Sequence, residues 1–362
     1  MPTTDQLLQA LSSAVDPNLG KAFVASKAIK NLTIDGDDVR FDLQLAYPAK
    51  SQHAEFEAAL RAAALTVEGV RSVQITTSTR VESHAVQRGV QLLPNVKNII
   101  AVASGKGGVG KSTTAVNLAL ALAAEGATVG LLDADIYGPS VPMMMGVTGR
   151  PESPDGKNME PLENFGIQVM SIGLLVEPDQ AMIWRGPMAT QALDQLLRQT
   201  NWRELDYLII DMPPGTGDIQ LTLSQRVPLT GAVIVTTPQD IALLDARKGI
   251  KMFEKVGVPI LGIVENMAVH ICSQCGHAEH IFGQEGGKRM AAEFSMDYLG
   301  ALPLDMQIRL QADGGKPTVV ADPAGAVAAL YTAIARRLAA SVAAKAKDFS
   351  AKFPTITISK NT

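Results

Sequence analysis

A strand-like run, Ile99-Ile100-Ala101-Val102, leads into Gly105-Lys106-Gly107-Gly108-Val109-Gly110-Lys111-Ser112 and then into a helical stretch through Thr113, Leu118 and Leu122. Spacing and context are those of a P-loop, in which a glycine-rich turn joins a strand to a helix. The glycines let successive backbone N–H groups turn inward around phosphate oxygens, and the helix N-terminus adds its positive end. In that pattern Lys111 neutralises the β and γ phosphates and the Ser112 hydroxyl ligates Mg²⁺. Gly105 through Thr113 is therefore the predicted ATP cradle.

Working outward, a carboxylate is needed at the end of a neighbouring apolar strand to hold the Mg²⁺ shell. Tyr207-Leu208-Ile209-Ile210-Asp211 supplies one, and Met212-Pro213-Pro214-Gly215-Thr216-Gly217-Asp218 follows as a rigid loop suited to sensing the γ phosphate. Asp133 and Asp135 close another apolar strand, Val129 to Leu132, and Asp135 is the better candidate for positioning water or joining the metal shell. Further apolar strands are expected at 233–236, 260–264 and 298–302, alternating with helical segments. Such alternation predicts an α/β P-loop NTPase domain over 97–345, a mostly parallel sheet covered by helices on both faces. An Ala-rich helix at 324–344 closes it, and a tail at 346–362 is expected to be mobile.

Ahead of this domain, residues 1–80 read as a small α+β unit. Thr3 and Gln6 can form a capping box, with Leu7, Leu8, Leu11 and Val15 on one helical face before Asp16-Pro17. Two strands meet at Asp35-Gly36, the second alternating Val39, Phe41, Leu43, Leu45 and Tyr47. A helix with Phe56, Leu60 and Ala64 and a strand with Val73 and Ile75 complete the order α-β-β-α-β. From 81 to 96 the periodicity disappears, so that stretch is expected to be a polar linker.

The chain has 362 residues, 46% hydrophobic, with 32 Lys plus Arg against 36 Asp plus Glu. A net charge of −4 gives no global pull toward nucleic acid or anionic lipid, so neither is expected as a partner. The longest apolar stretch, 115–132, carries Asn117 and Glu125 and so falls short of the roughly 20 apolar residues that span a bilayer. Asp5 interrupts any secretory-type start, and a cytoplasmic location is expected.

The two cysteines of the chain, Cys272 and Cys275, lie beside His270, His277 and His280. A disulfide framework does not fit a reducing cytosol, whereas thiols three apart can meet one metal centre. Three readings stay open on the residues alone, the first a redox dithiol, which a thioredoxin-like site would place at a strand-to-helix turn of a much smaller βα unit. Zinc could be held within one chain by Cys272, Cys275, His277 and His280. A [4Fe–4S] cluster needs four thiolates and so two chains, which a twofold dimer supplies.

Lys106, directly after the first glycine, gives the loop a form that resembles the deviant Walker A motif of ParA, MinD and nitrogenase iron protein ATPases. That resemblance implies a nucleotide-sandwich homodimer in which Lys106 reaches the partner's nucleotide, and a base-reading role for Asn266, beyond the strand at 260–264. Taken with Asp133 to Ser140, Ile209 to Asp218 and the Cys272-Ser-Gln-Cys275-Gly segment, the chain resembles the Mrp/ApbC family of iron–sulfur cluster carrier ATPases. It implies a catalytic set of Lys106, Lys111, Asp135 and Asp211. It also implies a bridging [4Fe–4S] cargo on Cys272 and Cys275, a cluster donor, and apo-protein recipients. Residues 1–80 resemble the small iron–sulfur assembly domain often fused ahead of such ATPases. Tyr47-Pro48-Ala49-Lys50 lacks the cysteine common after that strand in relatives, which points to docking instead of metal binding. The rival reading is a ParA or MinD-like positioning ATPase with structural zinc at the thiol pair.

Overall fold

The computed structural model describes residues 2–87, 89–176 and 186–345; the tail expected at 346–362 lies outside them. In the N-terminal unit, α1 (Thr4–Leu11) opens on the capping box, Thr3 Oγ1 accepting from the Gln6 amide while the Gln6 side chain accepts from the Thr3 amide. Leu7 and Leu11 are buried, but the helix stops at Leu11. Val15, assigned above to its apolar face, lies instead in a two-residue pair, β1 (Val15–Asp16) with β2 (Lys21–Ala22), and is exposed. Then come β3 (Ile29–Asp35), β4 (Asp38–Leu45), α2 (His53–Ala64) and β5 (Ser72–Thr79), with β4 central in a three-stranded sheet. Its alternating residues Val39, Phe41, Leu43 and Leu45 are all buried, as the period of two requires.

The larger unit is an eight-stranded sheet. In chain order it runs through β6 (Val96–Ala103), α3 (Lys111–Ala124), β7 (Val129–Asp133), α4 (Val141–Met144), β8 (Leu162–Asn164), β9 (Ile167–Ser171), α5 (Gly186–Arg198), β10 (Leu205–Asp211), α6 (Asp218–Arg226), β11 (Gly231–Thr236), α7 (Asp240–Lys255) and β12 (Ile260–Glu265). A small hairpin follows, β13 (His270–Ile271) with β14 (Ala278–Glu279), then α8 (Gly286–Glu293), β15 (Tyr298–Ala301), α9 (Met306–Asp313), α10 (Thr318–Ala321) and α11 (Ala326–Ala343). The spatial order is β15-β12-β11-β6-β10-β7-β9-β8, parallel except for the edge strand β8. Strands β8 and β9 have no counterpart in the sequence reading.

Alternate side chains of each central strand feed opposite cores. Ile100 and Val102 pack toward α3 and α11, while Ile99, Ala101 and Ala103 face the layer of α5 and α7. The core on the α3 and α11 side is continuous with that of the N-terminal unit. One helix, α11, is long and apolar enough to cross a membrane by length and composition. In the fold its Tyr331, Ile334, Leu338 and Val342 are buried, and Arg336 and Arg337 are hydrogen-bonded to the protein.

The stretch at 81–96 is not a free polar tether. Val81 and His84 are buried, the His84 ring meets Asn98 Oδ1 at 2.9 Å, and Gln87 bonds the Ser224 carbonyl and the Leu229 amide. A second joint binds the two units. Glu125, the C-cap of α3, accepts from the Ser51 amide and hydroxyl and from Arg336 at 3.1 Å, and its carbonyl accepts from the Lys50 amide. Glu125 is 2% exposed and Arg336 15%, so the pair is desolvated on both sides. Breaking such a pair strands a buried charge. Glu125→Ala is expected to cost about 3 kcal/mol of stability and to speed proteolysis between residues 80 and 95. Ser51→Ala, which removes one neutral donor, should cost about 1 kcal/mol; thermal melts and limited trypsinolysis measure both.

Candidate nucleotide and thiol site

Parallel sheets present their loops at the C-terminal strand ends, where ligands bind. Here that edge holds a cavity of about 530 Å³, lined by Lys106, Gly107, Gly108, Gly110, Lys111, Ser112, Thr113, Asp135, Pro214 and Asn266 together with Met143, Met144, Met267 and the 303–305 turn. The loop bends through left-handed backbone at Gly108 (φ 81°) and Gly110 (φ 79°), conformations that favour glycine. Gly105 has a different reason to be glycine. A Cβ there would lie 2.2 Å from the Asp245 carbonyl carbon, so the loop rests directly on the backbone of α7.

Lys111 is nearly buried, its Nζ 2.5 Å from Asp211 Oδ1, 3.1 Å from Ser112 Oγ and 4.0 Å from Asp135. Burial pushes the Asp211 carboxyl up, and the Lys111 ammonium opposes it. The second Asp211 oxygen is buried without a hydrogen-bond partner. An orphaned carboxylate oxygen next to a serine hydroxyl has the donor chemistry of a hard, oxygen-seeking cation. Asp135 lines the cavity, and burial raises its carboxyl too. Asp133, set aside in the sequence reading, does not line the cavity. It is fully buried, accepts from the Asp135 and Val141 amides and from Ser171 Oγ, and is pushed up to about 7 by burial and then by Asp211. It holds the turn that carries Asp135.

Asn266, expected to read the base, lines the cavity. Its Nδ2 donates to the Val109 carbonyl at 2.8 Å and its Oδ1 accepts from the Met267 amide. A Cβ on Gly110 would lie 2.1 Å from that Nδ2. Lys106 lines the cavity mouth, and among the described residues no carboxylate forms an ion pair with it.

Both thiols are free and sit on the turn of the β13–β14 hairpin, Cys275 exposed and Cys272 half-buried. The Cys272 amide donates to the His277 carbonyl and the Gly276 amide to the Cys272 carbonyl. Amides of Gln274 and Cys275, then the Cys275 thiol, hold the Cys272 thiol below the usual range, as a metal-binding thiolate requires. The one-chain zinc set does not assemble: among the described residues no three His, Cys, Asp or Glu side chains are grouped to hold an ion. His280 instead directs Nδ1 to the Ala268 carbonyl at 2.8 Å, and the exposed His277 faces Glu279. The 303–305 turn and the Met143-Met144 pair were missed from sequence, because nothing in their composition marks them as cavity wall.

Residues 95–339 match the ParA family described as "NUBPL iron-transfer P-loop NTPase". The chain belongs to the NUBPL-type iron-transfer P-loop NTPases. Residues 4–76 match the iron–sulfur cluster assembly protein family. The iron–sulfur cluster carrier protein of Pseudomonas fragi is 58% identical over 278 residues, 76% of this chain and 97% of that one. The carrier protein of Escherichia coli K12 is 50% identical over 92% of this chain and 90% of its own length. The mouse iron–sulfur cluster transfer protein NUBPL is 54% identical over 69% of this chain and 80% of its own. Among solved structures, a nucleotide-binding protein from Archaeoglobus fulgidus in complex with ADP is 38% identical, with a TM-score of 0.55 over 61% of this chain and 88% of that one. The cell division ATPase MinD of Pyrococcus furiosus, 22% identical with a TM-score of 0.50 over 67% of this chain and 98% of its own, shares the fold.

Membership in the NUBPL-type family, whose P-loop implies nucleotide hydrolysis, gives weight to the carrier reading over the positioning rival. The buried pair also changes what a P-loop variant should do. Removing the lysine leaves Asp211 buried and uncompensated, so Lys111→Ala is expected to lose nucleotide binding and about 3 kcal/mol of stability. Lys111→Ala with Asp211→Asn should recover part of that stability without recovering nucleotide binding, as followed by melting and fluorescent-nucleotide titration.

Proposed function

We propose that this chain is a dimeric ATPase that carries a bridging [4Fe–4S] cluster between two subunits and delivers it to apo-proteins in the cytoplasm. The observation that carries the reading is the hairpin: two accessible thiols, one of them acidified, with no third ligand grouped beside them among the described residues. A cubane asks for four thiolates, and two hairpins brought together by a twofold axis provide them. The relatives' names as iron–sulfur cluster carriers support the cargo.

ATP enters the cavity with its phosphates on the amides of Gly105 to Thr113. Lys111 exchanges Asp211 for the β and γ phosphates, releasing that carboxylate. Ser112 and Asp211 would hold Mg²⁺, which neutralises developing phosphate charge. Asp135, held by Asp133, orients water at the γ phosphate, and Lys106, with no carboxylate ion-paired to it among the described residues, reaches a partner's nucleotide. Hydrolysis then acts as a switch on subunit orientation. Residues 1–80, which lack cysteine, serve as a docking unit for client or donor proteins, with 97–345 as the ATPase.

Anaerobic reconstitution is expected to give about four irons and four sulfides per dimer, the ligand arithmetic of one cubane on four thiolates. Cys272→Ser or Cys275→Ser should lose the cluster and its visible absorbance while ATP binding persists. His277→Ala should leave the cluster in place. Tight zinc at one per chain, lost with His277 and with no reconstitutable iron, would overturn the cargo. A second experiment addresses the sandwich. Mixing Lys106→Ala with Lys111→Ala subunits creates heterodimers in which one site keeps both lysines, so ATPase activity should partly recover. Subunit exchange without recovery would place Lys106 outside the partner's site.

A further inference from the structure

The nucleotide cavity and the thiol hairpin share a wall. β12 ends at Glu265, and the next five residues run from the P-loop to the base of the hairpin. Asn266 begins that segment with its carboxamide on Val109. Beyond it the backbone pairs with the turn after β15: Leu302 donates to Glu265, Ala268 to Leu302 and Leu304 to Val269, at 2.8 to 2.9 Å. Asn266, Met267, Pro303, Leu304 and Asp305 all line the cavity, so this paired ribbon is its floor on one side and the root of the hairpin on the other.

Two histidines fasten the hairpin to the ribbon. His270, two residues before Cys272, sets Nδ1 3.1 Å from the Leu304 carbonyl. His280, on the returning side, sets Nδ1 2.8 Å from the Ala268 carbonyl. Between them the hairpin itself has only two paired residues on each strand, too few to fix its direction alone. Without these side chains the thiols would swing independently of the ribbon. The other end of the ribbon rests on the P-loop through the Asn266 carboxamide on the Val109 carbonyl, so a movement of that loop would reach the ribbon there.

We propose that His270 and His280 are positioning residues that clamp the Cys272–Cys275 hairpin to the ribbon formed by residues 265–269 and 302–304, so that nucleotide in the P-loop changes the setting of the thiols through Asn266. This rests on the carrier reading for its biological purpose, though the clamp itself is a property of the nucleotide site and the thiols alone.

The test uses the full-length reduced protein without cluster and follows the rate of N-ethylmaleimide addition to the two cysteines, with and without Mg–ATP. In the parent, nucleotide is expected to change that rate by about fivefold, the low end of a typical coupling between sites. His280→Ala should bind a fluorescent ATP analogue as the parent does, yet show alkylation that no longer responds to nucleotide. His280→Asn, whose side-chain N–H can reach the same carbonyl, should restore the response. An unresponsive parent at saturating nucleotide overturns the proposal, and so does a His280→Ala protein that responds as strongly as the parent. A responsive parent that takes up no iron on reconstitution would sink the carrier reading and still support the clamp.

Discussion

Two carboxylates, Asp135 and Asp211, face one ammonium, Lys111, at the edge of a parallel sheet where water has little access, and a third, Asp133, lies buried within electrostatic reach of Asp211. The geometry of the centre follows from neutralising them. Asp211 is paired at 2.5 Å, Asp135 keeps partial contact with solvent, and Asp133 is satisfied by two amides and a serine hydroxyl. With two of the three acids fully buried, desolvation favours their protonated forms. In the proposed function, incoming phosphates with their cation would offer the lysine a stronger partner and the released carboxylate a positive one, so that binding and charge redistribution would be one event, as a nucleotide switch needs.

That centre touches the rest of the molecule through rigid contacts. The P-loop rests on α7 at Gly105, where no side chain would fit, and on Asn266 at Val109. Its helix, α3, is apolar on nearly every side and ends at Glu125, the residue that grips Ser51 and Arg336. One helix thus has phosphate chemistry at its first residue and the joint to the N-terminal unit just past its last. The thiols sit on a third branch, separated from the phosphate loop by a short paired ribbon.

The deviation of the 81–96 stretch from a linker has a plain cause. Its residues are polar and lack periodicity, but His84 and Gln87 find partners, Asn98, Ser224 and Leu229, that are 14 to 142 positions away in sequence. Hydrogen bonds to distant backbone leave no trace in local pattern. The same holds for Asn266, whose hydrogen-bond partner is a carbonyl 157 residues earlier.

Local chemistry settled much of this protein in advance. A glycine loop between an apolar strand and a helix, an aspartate ending another apolar strand, and alternation along Val39 to Leu45 each express a backbone or burial constraint within a dozen residues, so they read directly. A Cys-x-x-Cys pair likewise shows in its spacing that two thiols share one turn. What the tertiary structure decided were the relations between such segments: that Lys111 lies on Asp211, that Asp133 serves Asp135, that Glu125 locks two units together, and that His280 holds a carbonyl and does not complete a zinc site. The Lys111–Asp211 and Glu125–Ser51 contacts bring together side chains 100 and 74 positions apart in desolvated places, where one hydrogen bond or ion pair selects among partners that composition and periodicity leave equivalent.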